Sequence, residues 1–212
     1  MMTANKNTKG ETTMKLFVNF LSIFRILTAF LIIPTIMFNW FWVTFILYIL
    51  AAISDWFDGF LARKYNCCSK LGGVMDHIGD KLLVCNSLIM LTILMPVWFI
   101  MIPVILMVAR ELYVSGLREF LGTQKIEMPV PKARFSMGKV KTTVQMIAIA
   151  AFLLLFAVGA SVTPNTTSTF IFYLIYALPQ TGVVCLWFSL VASLWSATQY
   201  TFTFADKLKK IK

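Results

Sequence analysis

The chain has 212 residues, of which 59% are hydrophobic and only 13% are charged. Soluble domains average ~45–50% apolar and ~25% charged residues, so this composition excludes an ordinary soluble domain. The formal net charge is +10, but the Lys and Arg residues gather at alternate junctions between apolar runs. That placement is typical of a membrane protein with basic cytoplasmic loops, and it explains the charge without a nucleic-acid partner, so none is expected.

Six apolar runs are each long enough to cross ~30 Å of hydrocarbon, which takes about 20 helical residues. In chain order they cover about 17–38, 40–58, 74–95, 98–120, 137–160 and 182–204. The sequence therefore predicts an all-α integral membrane protein with six transmembrane helices that cross the lipid bilayer. The junctions near Asn39, near Pro96 and across 159–182 lack Lys and Arg, which predicts that both termini lie in the cytoplasm.

Three shorter segments complete the predicted organisation. Residues 1–13 are polar and are predicted to be disordered, residues 14–205 to form the membrane domain, and residues 206–212 to form a basic cytoplasmic tail. The apolar stretch 170–178 is too short to span a bilayer, and Pro179 follows it. We expect it to be a separate interfacial or re-entrant segment on the outer side.

Four of the nine acidic residues fall between the second and third runs, as Asp55, Asp58, Asp76 and Asp80. The first two are spaced i,i+3 and the last two i,i+4, so each pair shares one helix face. Carboxylates beside lipid are expensive and usually serve an ion, a proton path or a substrate. The hairpin between the two runs is expected to bring both pairs to the same depth, at the cytoplasmic side.

Four carboxylates this close repel one another and require counter-charges. Oxygen-only ligands suit Mg²⁺ or Mn²⁺, and two such ions roughly 3.5–4 Å apart would clamp a phosphate between them. The competing interpretation is a set of structural salt bridges with the neighbouring basic residues. Those residues are Arg63, Lys64, Lys70 and Lys81.

The acids belong to a longer pattern, D-x2-D-G-x2-A-R-x8-G-x3-D-x3-D, which begins at Asp55 and ends at Asp80. This pattern resembles that of the CDP-alcohol phosphatidyltransferases, six-span enzymes that move a phosphatidyl group from a CDP-lipid to an alcohol. The resemblance implies one metal ion on Asp55, Asp58 and Asp76. It implies a second ion on Asp55, Asp76 and Asp80, with Asp80 also as the base that deprotonates the acceptor, and a homodimer.

The resemblance also implies a binding site for CDP-diacylglycerol. Upstream, the segment N-F-L-S-I-F-R that begins at Asn19 is similar to the family's N-x-L-T-x-x-R, with Ser22 in place of Thr and Val18 in place of the usual preceding Pro. The residues that would line the site are Asn19, Ser22, Gly59, Ala62, Arg63, Ser69 and Gly72.

The acceptor site is predicted from basic residues further along the chain. Arg110 lies deep in the fourth run, where an unpaired charge is costly, and Arg118 follows two turns later on the same face. With Lys139 and Lys141 they could form a basic recess suited to a second phosphate. The alternative is that Arg118, Lys139 and Lys141 only determine topology, which leaves Arg110 unexplained.

The segments R-E-L-Y-V-S-G-L-R-E and G-K-V-K-T-T-V-Q-M resemble the phosphatidylglycerophosphate synthase branch of the family. That resemblance implies sn-glycerol 3-phosphate as the acceptor and CMP as the leaving product. The alternatives are a cardiolipin synthase with a lipid acceptor, another phosphatidyltransferase of the family, or a cation transporter that uses the same acids. The branch commonly has L-D-P-x-A-D-K where this chain has M-D-H-I-G-D-K, and His77 is expected to be a packing or hydrogen-bonding residue.

Overall fold

The computed structural model describes most of the chain. It describes the backbone of residues 4–65, 70–123, 137–163 and 168–209, and the side chains of 19–55, 57, 72–123, 140–163 and 168–207. The described backbone forms six helices and no strand. In chain order they are α1 (Ala4–Met37), α2 (Phe41–Tyr65), α3 (Lys70–Leu94), α4 (Trp98–Thr123), α5 (Met137–Ser161) and α6 (Thr169–Lys209). The predicted all-α class is confirmed.

Five of these helices contain stretches long and apolar enough to cross a membrane. They are Asn19–Met37, Gly72–Leu94, Trp98–Thr123, Val140–Ser161 and Thr169–Lys207. The remaining predicted span falls in α2, whose described apolar stretch, Phe41–Asp55, is shorter. The chain is therefore an integral membrane protein, with five candidate spans among its described residues.

Two expectations about irregular segments are wrong. The predicted boundary between 170–178 and the sixth span is wrong, because α6 runs without a break from Thr169 through Pro179 to Lys209, whereas the interfacial position of 170–178 stays a prediction. A proline in a helix removes one hydrogen bond but does not have to end the helix when apolar residues continue on both sides. Residues 4–13, predicted to be disordered, are the first turns of α1, since extending an existing helix costs far less than starting one.

The chain divides into two compact units, of which the first comprises Met1–Met90 and Leu153–Thr167. In this unit α1 packs against α2, and its fully buried side chains include Ile32, Tyr48 and Leu83. Asn86 on α3 donates its Nδ2–H to the carbonyl oxygen of Ala29 on α1, at 2.9 Å. Because lipid tails are as apolar as these side chains, such interhelical hydrogen bonds and close packing hold the helices together.

A tight turn joins α1 to α2 and fixes where α1 stops. The N–H of Trp40 bonds to the carbonyl of Thr35 at 2.8 Å, and the N–H of Asn39 to the carbonyl of Ile36 at 2.9 Å. Asn39 has a φ of 58°, the left-handed conformation that Asn adopts more readily than most residues. This pair of bonds is a Schellman motif, and it satisfies carbonyls that the end of α1 would otherwise leave unpaired.

The second unit comprises Leu91–Phe152 and Ser168–Lys212. Here α4 packs against α6, with Met107 and Leu186 fully buried. Trp187 on α6 donates its indole N–H to the carbonyl of Phe99 on α4, at 3.0 Å. Phe152 of α5 is also fully buried in this unit, directly against α6 at Gly182.

We predict that Gly182→Ala destabilises the protein. A Cβ at this position would lie 2.8 Å from two ring carbons of the buried Phe152, and such overpacking costs about 1–3 kcal/mol. The matched control is Gly116→Ala on α4, where a Cβ meets nothing within 4 Å and where better helix propensity should add about 0.5–1 kcal/mol. Unfolding midpoints in detergent measure both changes. Equal stabilisation by the two substitutions would contradict the close packing of α5 on α6.

Candidate functional site

Three of the four predicted acids meet in the first unit. Asp55 lies on α2, and Asp76 and Asp80 lie one turn apart on the same face of α3. Each offers one carboxylate oxygen, and these three oxygens all lie within 4.8 Å of one another. Their side chains are 34%, 43% and 41% exposed, respectively, so a ligand can reach them. The predicted convergence of acids from two helices is present for these three residues.

Arg25 of α1 lies at the centre of the three acids. Its Nη1 is 3.1 Å from Oδ1 of Asp55, 2.6 Å from Oδ1 of Asp76 and 2.7 Å from Oδ1 of Asp80. The Arg25 side chain is 0% exposed, so it approaches the acids from inside the unit. One guanidinium thus offsets part of the repulsion among three carboxylates.

Gly79 allows α1 to come this close to α3. A Cβ there would lie 3.3 Å from Cγ1 of Ile26 and 3.5 Å from Cδ of Arg25. The Arg25 side chain therefore runs over the bare backbone of α3, one residue before Asp80. Gly79 thus leaves room for Arg25, the residue that binds the acids, to lie against α3.

The donor set fits a hard divalent cation. Carboxylate oxygens are the ligands that Mg²⁺ and Mn²⁺ prefer, and the described cluster contains no sulfur or imidazole donor. With Arg25 counted, three carboxylates and one guanidinium leave two negative charges, which a divalent ion would neutralise. The predicted salt bridges from Arg63, Lys64 and Lys70 fall on side chains outside the described residues, and Arg25 is one partner that the structure gives to the acids.

The residues predicted to bind CDP-diacylglycerol have the following positions in the structure. Ser22 is buried on α1, three residues before Arg25, and Asn19 is half-buried one turn earlier. Gly72 is buried near the start of α3, one turn before Asp76. Ser69 lies outside the described residues. The side chains of the remaining residues predicted to bind CDP-diacylglycerol, all on α2, are also outside the described part of the chain. Those residues are Gly59, Ala62 and Arg63, and the side chain of Asp58, the fourth predicted acid, is also outside the described residues.

The second unit contains the residues predicted for the acceptor. Arg110 is buried on α4, and its Nε–H donates to the carbonyl of Ser193 on α6 at 3.0 Å. Its Nη2 donates to Oγ of Ser196 at 3.0 Å, and its Nη1 to Oε1 of Glu111 at 3.0 Å. The charge of Arg110 is thus satisfied within the unit, and the residue ties α4 to α6.

The remaining predicted cations have different surroundings. Lys141, buried on α5, forms an ion pair with the same Oε1 of Glu111 that Arg110 contacts. Arg118 is exposed, donates to the hydroxyl of Tyr200 at 2.5 Å and stacks over its ring at 4.8 Å. The side chain of Lys139 is outside the described part of α5. Of the three described cations, Arg118 is the one with an exposed side chain.

Sequence reasoning missed two residues of these clusters. Arg25 was visible as a lone charge in the first apolar run, and Glu111 as an acid beside Arg110 in the fourth. A charge within an apolar span is usually paired and faces the protein interior, and that rule could have identified both. The two charges were visible in the sequence, but the sequence did not show which residues they contact.

The apolar helices and the carboxylate cluster together define a polytopic integral membrane protein with an acidic site on its helices. A family model described as CDP-alcohol phosphatidyltransferase matches residues 15–195 of the chain. The chain therefore belongs to the CDP-alcohol phosphatidyltransferase family, and it is a transferase of phospholipid biosynthesis. This finding confirms the resemblance based on the spacing of the acids.

Three curated relatives of this chain, members of the same family, share one name. A protein of Salmonella paratyphi A is 33% identical over 183 residues, covering 85% of this chain and 90% of the relative. One of Shigella flexneri serotype 5b is 33% identical over 73% of this chain and 74% of its own length. One of Blochmanniella floridana is 30% identical over 79% and 77%, respectively. All three carry the name CDP-diacylglycerol–glycerol-3-phosphate 3-phosphatidyltransferase.

Proposed function

We propose that this protein transfers the phosphatidyl group of CDP-diacylglycerol to sn-glycerol 3-phosphate and releases CMP. The observation that carries the proposal is the convergence of Asp55, Asp76 and Asp80. A divalent cation held by these carboxylates would bind the diphosphate of a lipid substrate beside the membrane. The names of the curated relatives support the choice of both substrates. The product would be phosphatidylglycerol phosphate, a precursor of phosphatidylglycerol and cardiolipin.

Asp55, Asp76 and Asp80 would hold the divalent metal, with Asp58 as the fourth member of a two-ion site. Ions bound there would neutralise the diphosphate and stabilise the negative charge that develops on the leaving CMP. Mg²⁺ is the first candidate because it favours carboxylate and phosphate oxygens, and Mn²⁺ is the second.

Asp80 would act as the general base. The primary hydroxyl of the acceptor transfers its proton to the Asp80 carboxylate while its oxygen attacks the lipid-proximal phosphorus. A new P–O bond forms, and the bond from that phosphorus to the oxygen bridging to CMP breaks, so CMP keeps the bonding electrons. Asp80 is suited to this role because it is 41% exposed and part of the acid cluster.

The CDP part of the substrate would contact residues of the first unit. Asn19 and Ser22 lie on α1 on the approach to Arg25, and Gly72 lies one turn before Asp76, which supports their inclusion. The full proposed set is Asn19, Ser22, Gly59, Ala62, Arg63, Ser69 and Gly72.

The phosphate of the acceptor would bind basic residues of the second unit, namely Arg110, Arg118, Lys139 and Lys141. Arg118 is the strongest member of this set, because it is exposed and its guanidinium is oriented by Tyr200. Arg110 and Lys141 share Glu111, so part of their charge is already offset. They would contribute mainly by shaping and supporting the site.

The proposal also includes an orientation and an assembly. The active site would face the cytoplasm with both termini on that side, because the basic junctions alternate with uncharged ones. The family resemblance implies a homodimer, and that remains a prediction. Light scattering of the detergent-solubilised protein would test it.

Purified protein in detergent with CDP-diacylglycerol, Mg²⁺ and a panel of labelled alcohols tests the reaction. We expect CMP release with glycerol 3-phosphate and none with serine, inositol phosphate or phosphatidylglycerol. Release with phosphatidylglycerol alone would identify a cardiolipin-forming enzyme instead. No release with any alcohol would contradict the proposed reaction.

A further inference from the structure

The buried guanidinium of Arg25 has an unusual position for a salt-bridge partner. A single nitrogen, Nη1, contacts Oδ1 of Asp55, Asp76 and Asp80 at 3.1, 2.6 and 2.7 Å. These are oxygens of the same three residues whose carboxylates converge closely enough to hold an ion. A positive charge of the protein therefore already lies among the carboxylates that a metal ion would bind.

Two cations cannot share this space without cost. A Mg²⁺ ion requires its oxygen ligands at about 2.0–2.1 Å, so an ion bound to these oxygens would lie next to Nη1 or displace it. Cations a few ångströms apart repel strongly, and more so where the site is partly withdrawn from water. Electrostatic repulsion thus sets metal binding against the contacts between Arg25 and the acids.

The surroundings of Arg25 keep it at the site. Its side chain is 0% exposed, and Gly79 leaves room for it against α3. Without the guanidinium, the three facing carboxylates would repel one another more strongly, and this repulsion would destabilise the assembled cluster. Arg25 therefore stabilises the assembled cluster when no metal is bound.

We infer that Arg25 is a built-in counter-cation that competes with the metal: it stabilises the metal-free cluster and weakens metal binding. The inference rests on the proposed metal-binding role of the acids. In this role Arg25 acts on metal binding through its contacts with the three carboxylates. The opposite role, a group that improves metal binding by arranging its ligands, predicts the reverse effect on affinity.

Arg25→Met provides the test, because Met fills similar space without charge. We expect its unfolding midpoint in detergent to fall in EDTA and to recover in saturating Mg²⁺, so that the Mg²⁺-induced rise is larger than in the wild type. The dissociation constant for Mn²⁺, measured from free Mn²⁺ by electron paramagnetic resonance, should fall about tenfold. Neither measurement requires enzyme turnover.

Thr28→Val is the matched control on α1. Thr28 is buried one turn beyond Arg25, and its hydroxyl donates to the carbonyl of Phe24 at 2.9 Å, away from the acids. The substitution should change the midpoint equally with and without Mg²⁺ and leave the Mn²⁺ affinity unchanged.

Three results would overturn the inference. Equal destabilisation of Arg25→Met in EDTA and in Mg²⁺ would show a packing role, and weaker Mn²⁺ binding would show a ligand-arranging role. A wild-type protein that binds no Mn²⁺ would remove the metal site itself, and the inference with it. If Arg25→Met does not fold in either condition, Arg25→Gln decides, because Gln keeps a hydrogen-bond donor and removes the charge. A larger Mg²⁺-induced rise than in the wild type supports competition, and an equal or smaller one contradicts it.

Discussion

Asp80→Asn is expected to reduce CMP release by about 10³-fold or more, because a general base alone contributes about 10²–10⁴-fold and Asp80 is also a proposed metal ligand. An amide cannot accept the proton of the acceptor hydroxyl, and it is a weaker ligand for a hard cation. Asp55→Asn and Asp76→Asn should cause comparable losses, since each removes one of the three converging carboxylates. The measurement is CMP release by purified protein with saturating CDP-diacylglycerol and glycerol 3-phosphate.

The control for these variants is Asp206→Asn, which makes the same chemical change at an exposed position on α6. It should retain wild-type turnover. All the variants should still insert and run as the wild type does on size exclusion, because an amide has the same shape as the carboxylate it replaces. Wild-type-like turnover in any one of the three site variants would rule out the proposed site.

Arg118→Ala is expected to raise the KM for glycerol 3-phosphate about 10- to 100-fold, the equivalent of one charged hydrogen bond of about 1.5–3 kcal/mol. The KM for CDP-diacylglycerol should stay unchanged, because that substrate is assigned to other residues. Arg118 tests acceptor binding better than Arg110 does. Arg110 is hydrogen-bonded to Ser193 and Ser196 on α6, so its removal would also loosen the fold.

Tyr200→Phe separates the charge of Arg118 from its local support. It removes the hydroxyl that accepts the bond from Nη2 of Arg118 and keeps the ring beneath the guanidinium. A KM increase below about threefold is expected, since the cation–π contact remains. If Arg118→Ala leaves the KM for glycerol 3-phosphate within twofold of the wild type, this residue does not bind the acceptor and serves topology instead.

The elements that sequence predicts best here are those set by local periodicity. The predicted third, fourth and fifth spans, at 74–95, 98–120 and 137–160, coincide closely with α3, α4 and α5, because apolar length and Pro96 mark their ends. Asp76 and Asp80 were predictable as one face of a helix from their spacing alone. Their meeting with Asp55 followed from an antiparallel hairpin, a short-range feature of the chain.

Long-range pairing was not predictable in the same way. Arg25 is separated by some 30 to 55 residues from the acids it contacts, and nothing local specifies which face of α1 turns towards α3. Glu111 binds Lys141 from a different helix, and this pairing depends on how α5 is rotated about its axis. The continuity of α6 through Pro179 also depended on context, because proline is a helix breaker in water but is tolerated in apolar helices.

The length of α6 has a consequence for how the protein depends on its lipid. A helix of 41 residues is roughly 60 Å long, about twice the hydrocarbon thickness. At least part of it must therefore lie outside the acyl chains or tilt steeply. Its first turns carry exposed aromatic side chains, Phe170, Phe172, Tyr173 and Tyr176, which favour the headgroup layer. Bilayer thickness thus decides how much of α6 lies in the hydrocarbon layer. The acyl-chain length of the lipids therefore affects the enzyme itself as well as its lipid substrate.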